Sequence, residues 1–444
     1  MMSNLKFVGT RIQQFFRVTL LLRLCLKYIK RHPEKVQKVS AMQRVLREDL
    51  NQVTFQKLNN FDTVQPQKGK SDKSNQFEIS AARFNDEDVR LIGNNITRSI
   101  GHTALGLAQR FVLQEIGWSK NRYLAMAQEF GNKYYLSEYW GEFCPQLRNL
   151  PSALRLTELL STEIWEEISS VSYGDTNLSC NEATSILFQE WFVKRKKKKI
   201  LDLTQNNIEL GEIWLKQNRI KESDWFVVIH NRWTNEGTQN PRNNRLQDYI
   251  PGIKYILDQG GFVIKVGLPD GQIINDMGNR YIDYSNSQSR REELDIFLYG
   301  SCRYMLACSS GPAFVAANFG VPQLTLNITD LGAMPFIPNS IAVPKLRIEK
   351  NSKREKKFNE ELHLGVYDTD NLAEEFLLHY EFRNNSPDEI KSAIVEFHQV
   401  VEMNKLEEIN TQGSRMQKLI SARTKCPTTR IAESFLEKHH EYFF

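Results

Sequence analysis

Residues 303–327, RYMLACSSGPAFVAANFGVPQLTLN, restrict the possible folds more than any other stretch of the chain. Tyr304 to Ala307 is a short apolar run suited to a buried strand, and a second strand opens at Val321 and runs to Leu326. Between them Ser309-Ser310-Gly311 supplies two hydroxyls and a residue without a side chain. Pro312 stands where a first helical turn tolerates a missing N–H. The spacing predicts a helix from Pro312 to Phe319, stopped by Gly320. A strand that opens through such a turn into a helix leaves N–H donors and the positive end of a dipole facing outward, which suits a diphosphate. An ordinary βαβ turn has the same chemistry, so this segment alone leaves both readings open.

The preceding 78 residues, 225–302, repeat the pattern. Trp225 to Ile229 is fully apolar, as a central parallel strand should be, and ends in His230-Asn231-Arg232. A polar loop, Trp233 to Asn244, carries Arg242-Asn243-Asn244. A helix over 246–259 and the pair Gly260-Gly261 come next, then a strand Phe262 to Gly267 with Lys265 near its carboxyl end. Ile282-Asp283-Tyr284 reads as a short strand and Glu293 to Tyr299 as a helix containing Asp295. The order strand, helix, strand, strand, helix, strand, helix, strand is that of a doubly wound α/β domain. Ligands of such sheets collect beyond the carboxyl ends of the strands, which puts His230 and Arg232 at the crevice by position. An arginine there offers a planar fork of donors to phosphate oxygens.

Upstream, Val89 to Gly93 reads as a strand, and Ser99-Ile100-Gly101-His102 leads into an apolar-periodic helix from Thr103 to Ile116. His102 then sits at a helix start, as an acid/base or ligand-orienting group or as a packing residue. Residues 120–215 read mainly as helices, among them Leu156 to Ser170 and Ala183 to Trp191. The run Lys194 to Lys199 reads as a solvated face or connector before an anionic docking surface. Residues 15–30 mix Leu, Phe and Ile with Arg17, Arg23, Lys27 and Lys30 on a helical period. They are too short and too charged to span a bilayer, and fit either a helix lying at an anionic membrane surface or one docked on the protein's own core. Residues 65–76 look like an exposed linker, and 331–338 like a lid over the cleft.

Charge and cysteines narrow the function classes. Of the overall +5, residues 1–50 hold 11 Lys or Arg against 3 Asp or Glu, and the rest of the chain holds 47 against 50. Basic character is therefore local to an N-terminal extension, which argues against a nucleic-acid surface spread over the fold. The six cysteines, Cys25, Cys144, Cys180, Cys302, Cys308 and Cys426, form no CxxC pair. No disulfide framework or zinc site is expected, and a reducing, cytoplasmic compartment fits. Asp368-Thr369-Asp370 resembles a metal-binding pair but reads better as the entry to a helix. Four parts follow: a basic extension and linker over 1–80, an N-terminal domain over 81–221, a nucleotide-binding domain over 222–385, and C-terminal helices over 386–444, opened by the well-capped Ser386-Pro387-Asp388-Glu389.

The segments SIGHTALGL, WFVVIHNR, RNNRLQDYIPGIKYILDQGGFVIKVG, IDY and DIFLYGSCRYMLACSSGPAFVAANFGVP resemble a bacterial family of surface-polysaccharide glycosyltransferases related to GT-B enzymes. The resemblance spans about residues 90–440 and is densest over 222–330. The His230-Asn231-Arg232 element is similar to one in GT-B fucosyltransferases, whose arginine holds the donor diphosphate. Ser309-Ser310-Gly311 is similar in place to the phosphate turn of heptosyltransferase-type GT-B proteins. Trp233 departs from the charged residue usual in the family.

This resemblance implies a GT-B architecture of two Rossmann-type domains facing a cleft. It also implies transfer of a hexosyl or deoxyhexosyl group, without a metal or other cofactor, from a nucleotide sugar to a cell-surface polysaccharide or lipid-linked precursor. The expected donor-diphosphate residues are His230, Arg232, Lys265, Ser309, Ser310 and Gly311, with Asp283 and Asp295 at the nucleoside. Gly101, His102, Arg242 and Asn243 are expected on the acceptor side, and Arg232 and His102 as the catalytic pair. The expected place of work is the cytoplasm, at the inner face of the membrane where residues 15–30 make contact. Two alternatives stay open: a nucleotide- or sugar-binding scaffold without turnover, and a nucleotide-sugar epimerase or hydrolase of the same plan.

Overall fold

A computed structural model describes residues 78–79, 89–117, 122–125, 130–146, 170–173, 176–179, 184, 186–234, 240–329, 337, 340–355, 379–403 and 430–443. All of them belong to one of the two compact units into which the chain divides, Lys70–Phe358 with Val366–Phe444. The helix expected over 15–30, the linker at 65–76, all but the last residue of the helix expected over 156–170, most of the 331–338 loop and Asp368-Thr369-Asp370 lie outside the described residues, and Ser170 itself opens a strand, Ser170–Tyr173.

In the N-terminal half, β1 (Val89–Ile92) pairs in parallel with β2 (Arg122–Ala125), and α1 (Ile100–Glu115) lies between them in sequence. Next come α2 (Lys133–Tyr139) and α3 (Gln205–Gln217). Asn132 caps α2 by accepting from the Tyr135 N–H at 2.7 Å, and Thr204 caps α3. The main sheet is then built from β3 (Phe226–Ile229), α4 (Ile250–Asp258), β4 (Phe262–Lys265), β5 (Tyr281–Asp283), α5 (Glu292–Ser301), β6 (Tyr304–Ala307), α6 (Gly311–Asn318), β7 (Gln323–Ile328) and β8 (Ser340–Pro344). The antiparallel pair β9 (Leu346–Glu349) and β10 (Tyr380–Arg383) follows, then α7 (Pro387–Glu402), β11 (Arg430–Ile431) and α8 (Glu433–Lys438). A small antiparallel sheet joins Glu78–Ile79, Ser170–Tyr173 and Thr176–Ser179.

The main sheet has seven strands in the order β11-β8-β7-β6-β3-β4-β5, and every neighbouring pair is parallel. Parallel strands with helices on both faces must be apolar on both sides, and β3, β4 and β6 are buried along their full length. From β3 the chain moves outward through β4 to β5, returns to β6 beside β3, and moves outward the other way. Crossovers of one hand then require α4 and α6 on opposite faces. The contacts agree: α4 packs against α7, whereas α6 packs against α5 and α1.

The expected strand and helix order of residues 225–327 is therefore found. The structure adds β8 and β11 to the sheet, and it also adds β2. RYLA is too short and too polar in its surroundings to register as a strand, yet it forms one because β1 offers it a parallel partner. Helix α1 begins at Ile100, three residues before the expected start, because Ser99 is extended and takes the N-cap position. The basic run after Trp191 leaves a π-helical turn, Gln189–Lys194, with Lys194 through Lys199 exposed as a solvated face would be.

Helix α1 reaches the main sheet through α6. Gly101 and Gly311 touch backbone to backbone, so closely that a Cβ on Gly101 would lie 2.5 Å from the Gly311 Cα. At the far end of α6 the buried Asn318 amide donates to the Ala104 carbonyl at 3.1 Å and to the Tyr135 hydroxyl at 2.7 Å. The Asn318 carbonyl accepts from the Ile200 and Leu201 N–H groups, both at 2.8 Å.

Overpacking of this kind typically costs about 1–3 kcal/mol. Gly101→Ala is therefore expected to lower the urea midpoint clearly more than Gly106→Ala. At Gly106 the nearest atom to an added Cβ is the movable end of Arg110, at 3.3 Å. Equal midpoints for the two variants would show that the glycine crossing does not seat α1.

Candidate functional site

The strand order reverses between β3 and β6, so the crevice beyond their carboxyl ends is the switch point of the sheet. His230-Asn231-Arg232 leaves β3 there, and Cys308-Ser309-Ser310-Gly311 leaves β6. The two segments join directly: the Ser310 Oγ lies 2.8 Å from the His230 Nδ1. Cys308 Sγ is 3.8 Å from the same nitrogen, and the His230 N–H donates to the Leu306 carbonyl at 2.9 Å. On its other side the imidazole rests on Gly267, whose φ of +110° and lack of a side chain are both required, since a Cβ would meet the His230 Cδ2 at 2.9 Å.

Burial drives the His230 pKa down to about 4, helped by the charges of Arg232 and Lys265 and opposed by Asp270. The ring is therefore neutral across the physiological range, and it holds the Ser310 hydroxyl. Ser310 is the N-cap of α6, yet its side chain makes no capping bond, and Pro312 in the first turn has no N–H. The Ser310 side chain therefore does not close the start of α6.

Arg242 arrives from the 233–244 loop, donating from Nε and Nη2 to the Ser309 carbonyl at 3.2 and 2.8 Å. Its Nη1 has no partner among the described residues. The same loop is fixed by Asn244, whose side chain donates to the Arg242 carbonyl at 3.2 Å and accepts from the Tyr249 hydroxyl at 2.9 Å. The Asn244 N–H donates to the Arg232 carbonyl at 3.0 Å. The start of α1 also reaches the turn, through the Gly101–Gly311 contact, and the next residue, His102, is exposed.

The expected residues are thus only partly brought together. His230, Arg242 and Gly101 meet at the Ser309-Ser310-Gly311 turn, with Arg232 two residues beyond His230 in the chain and His102 next to Gly101. Arg242, expected on the acceptor side, reaches the Ser309-Ser310-Gly311 turn itself. The two serine hydroxyls are turned inward, Ser310 to His230 and Ser309 toward the Thr329 N–H at 3.5 Å, and both residues are buried.

Lys265 is used elsewhere: its buried ammonium donates to Asp270 at 2.8 Å and to the Gln272 carbonyl at 2.6 Å, with Asp283 at 3.8 Å. Asp283 caps the turn after β5, accepting from Ser285 at 2.6 Å and from the Asn286 amide at 2.8 Å. Asp295 lies inside α5 paired with Arg290 at 2.9 Å, and burial raises its pKa to about 6. Asn243 donates to Thr234.

Sequence reading missed Asp270, Gln272 and Lys345. Asp270 accepts from Lys265 and from the Asn231 amide, and Gln272 accepts from the Leu246 N–H at 2.7 Å. Together they tie the loop after β4 to the loop after β3. Pro269-Asp270-Gly271 carries an ordinary turn signature, and nothing in the sequence marks its aspartate as the partner of a buried lysine.

No family model and no curated protein matches this sequence. Among solved structures, the chain is similar to a glycosyl transferase family 9 protein from Veillonella parvula DSM 2008, at 10% identity over 55% of this chain and 68% of that one, with a TM-score of 0.30. It is also similar to the ADP-heptose lps heptosyltransferase II of E. coli, at 10% identity over 71% of this chain and 99% of that one, with a TM-score of 0.39. Neither likeness assigns a role to any residue.

The depressed pKa of His230 has a sign that can be checked. Between about 4 and the ordinary 6.5 the unfolded chain binds the proton and the folded chain does not, so stability falls as pH is lowered through that window. Urea unfolding of wild type from pH 8 to pH 4 is expected to show a steeper loss than His230→Asn, which keeps a polar group near Ser310 but cannot titrate. Parallel curves would remove the neutral, buried imidazole from the account.

Proposed function

We propose that this chain is a glycosyltransferase that binds the diphosphate of a nucleotide sugar at the start of α6 and moves the sugar to a glycan or lipid-linked acceptor. The observation that carries this reading is the turn at the switch point. There, an N-cap serine held by a neutral histidine leaves a helix start uncapped, and an arginine fork lies on the carbonyl of the preceding serine. The resemblance of residues 225–327 to surface-polysaccharide glycosyltransferases supplies the reaction class. The two-domain GT-B arrangement is part of this proposal.

The chemistry follows from charge. In glycosyl transfer a bond forms between the acceptor oxygen and the anomeric carbon as the bond from that carbon to the diphosphate oxygen breaks. The acceptor proton passes to a base. Negative charge grows on the departing diphosphate, and donors fixed beforehand around it lower the barrier because they stabilise the transition state more than the ground state. Arg242, Arg232 and the α6 main chain fill that role here, without calling on a metal. His230 positions the turn. His102, exposed at the start of α1, is the proposed base or acceptor contact. Lys265, Asp283 and Asp295 shape the rim through the bonds described above.

Thermal-shift measurements against GDP, UDP, CMP, ADP and dTDP are expected to show a rise in melting temperature with at least one diphosphate, since a ligand that binds only the folded state stabilises it. Charged hydrogen bonds contribute about 1.5–3 kcal/mol, so Arg242→Ala should weaken that binding by about tenfold to a hundredfold while the protein stays folded. Unchanged affinity in Arg242→Ala would defeat the donor-site assignment. Binding without hydrolysis or transfer of any nucleotide sugar would favour the scaffold alternative, and an isomerised or hydrolysed sugar as sole product would favour the epimerase or hydrolase.

A further inference from the structure

Lys345 links β8 to β9 and is 3% exposed. Its ammonium donates to the Pro241 carbonyl at 2.6 Å and to the Asn243 carbonyl at 2.8 Å. Those two carbonyls flank Arg242, so a buried cation from one edge of the switch point grips the main chain on either side of the arginine that lies on Ser309. Its own N–H donates to the Ile328 carbonyl at 2.8 Å, which fixes its root to the end of β7. From the opposite side Asn244, Tyr249 and Asn327 hold the same loop: the Asn327 amide donates to the Tyr249 hydroxyl at 3.3 Å, and that hydroxyl donates to Asn244.

An ammonium buried at this depth is expensive, and an apolar side chain of similar length would fill the same space without that cost. Burial lowers the Lys345 pKa to about 7. The neutral amine still carries two hydrogens, enough for both carbonyls, so the grip does not depend on the charge. What an apolar residue cannot do is hold two carbonyls at a fixed separation.

We propose that Lys345 is a positioning residue for the diphosphate site: it clamps residues 241–243 so that Arg242 stays on the phosphate turn, and through Arg242 it sets the affinity for the anion. This inference rests on reading the turn as a diphosphate site. A lysine that served only to stabilise the fold would affect binding equally whether or not Arg242 is present.

The test is a double-mutant cycle on the full chain, with inorganic pyrophosphate as the probe in calorimetric titrations and hydrogen exchange as a ligand-free readout. Lys345→Met is expected to weaken pyrophosphate binding about tenfold in the wild-type background and to have little further effect in Arg242→Ala, the non-additivity that marks two residues acting as one unit. Without ligand, the amides of residues 242–244 should exchange faster in Lys345→Met while those of β3 and β6 are unchanged. If Lys345→Met does not fold, Lys345→Gln, which keeps donors on a shorter stem, carries the same comparison with a smaller expected loss.

Equal losses in both backgrounds, unchanged affinity, or unchanged exchange at 242–244 would overturn the Lys345 role alone. A wild-type protein that binds no pyrophosphate would instead overturn the diphosphate reading and the affinity role with it, and the exchange result would then decide the clamp by itself.

Discussion

Everything at the candidate site depends on one close approach, the crossing of α1 and α6 at Gly101 and Gly311. Two helices can meet backbone to backbone only where neither carries a side chain, and here an added Cβ on either glycine falls within 2.5–2.8 Å of the other's main chain. The crossing sits at the first turn of both helices. It therefore brings two helix starts to the same place, with their partial positive charges side by side. Two such ends repel in a low-dielectric setting unless an anion or solvent lies near them, so the arrangement is one that an anionic ligand would relieve.

The polar groups behind this crossing are spent on one another. Lys265, Asp270, Gln272 and Asn231 form a connected group that ties the loop after β4 to the loop after β3. Asn327, with a left-handed φ of +55°, exchanges reciprocal bonds of 2.7 Å with Asn385 just before the capping box of α7. Buried polar groups of this kind stabilise a structure only when nearly all are satisfied, and they then rigidify it. The loops that carry His230 and Arg242 are thus braced from both flanks of the switch point, as a site that must hold its donors in place before a ligand arrives requires.

Much of the sheet was legible because its signal is local. FVVI and YMLA are apolar on both faces, as is FVIK up to Lys265, and Gly260 and Gly320, at φ values of +87° and +79°, end helices where the sequence placed the stops. The turn at Ser309-Ser310-Gly311 was legible for the same reason. β2, β8 and β11 were not, because a short strand forms only when a partner edge is available, and that partner is set by topology. Side-chain partners were the least legible of all. Lys265 was expected at a phosphate because it stands at the end of a strand, yet an aspartate five residues on claims it. Lys345 carried no signal, because its two acceptors lie 102 and 104 residues away in sequence.

The inward-turned hydroxyls bear on what the site can recognise. A serine at an N-cap normally bonds to the second or third N–H beyond it and so closes the helix start. Ser310 instead faces His230, which stays neutral because it is buried beside Arg232 and Lys265. A charged imidazolium there would add a third cation to the cluster. The neutral ring keeps the serine away from the helix and the helix start open. The imidazole thus acts on the turn, and the charge that meets a ligand comes from the guanidinium groups and the helix ends. Such donors suit a compact, multiply charged anion better than a neutral sugar ring, and the proposed diphosphate is an anion of that kind.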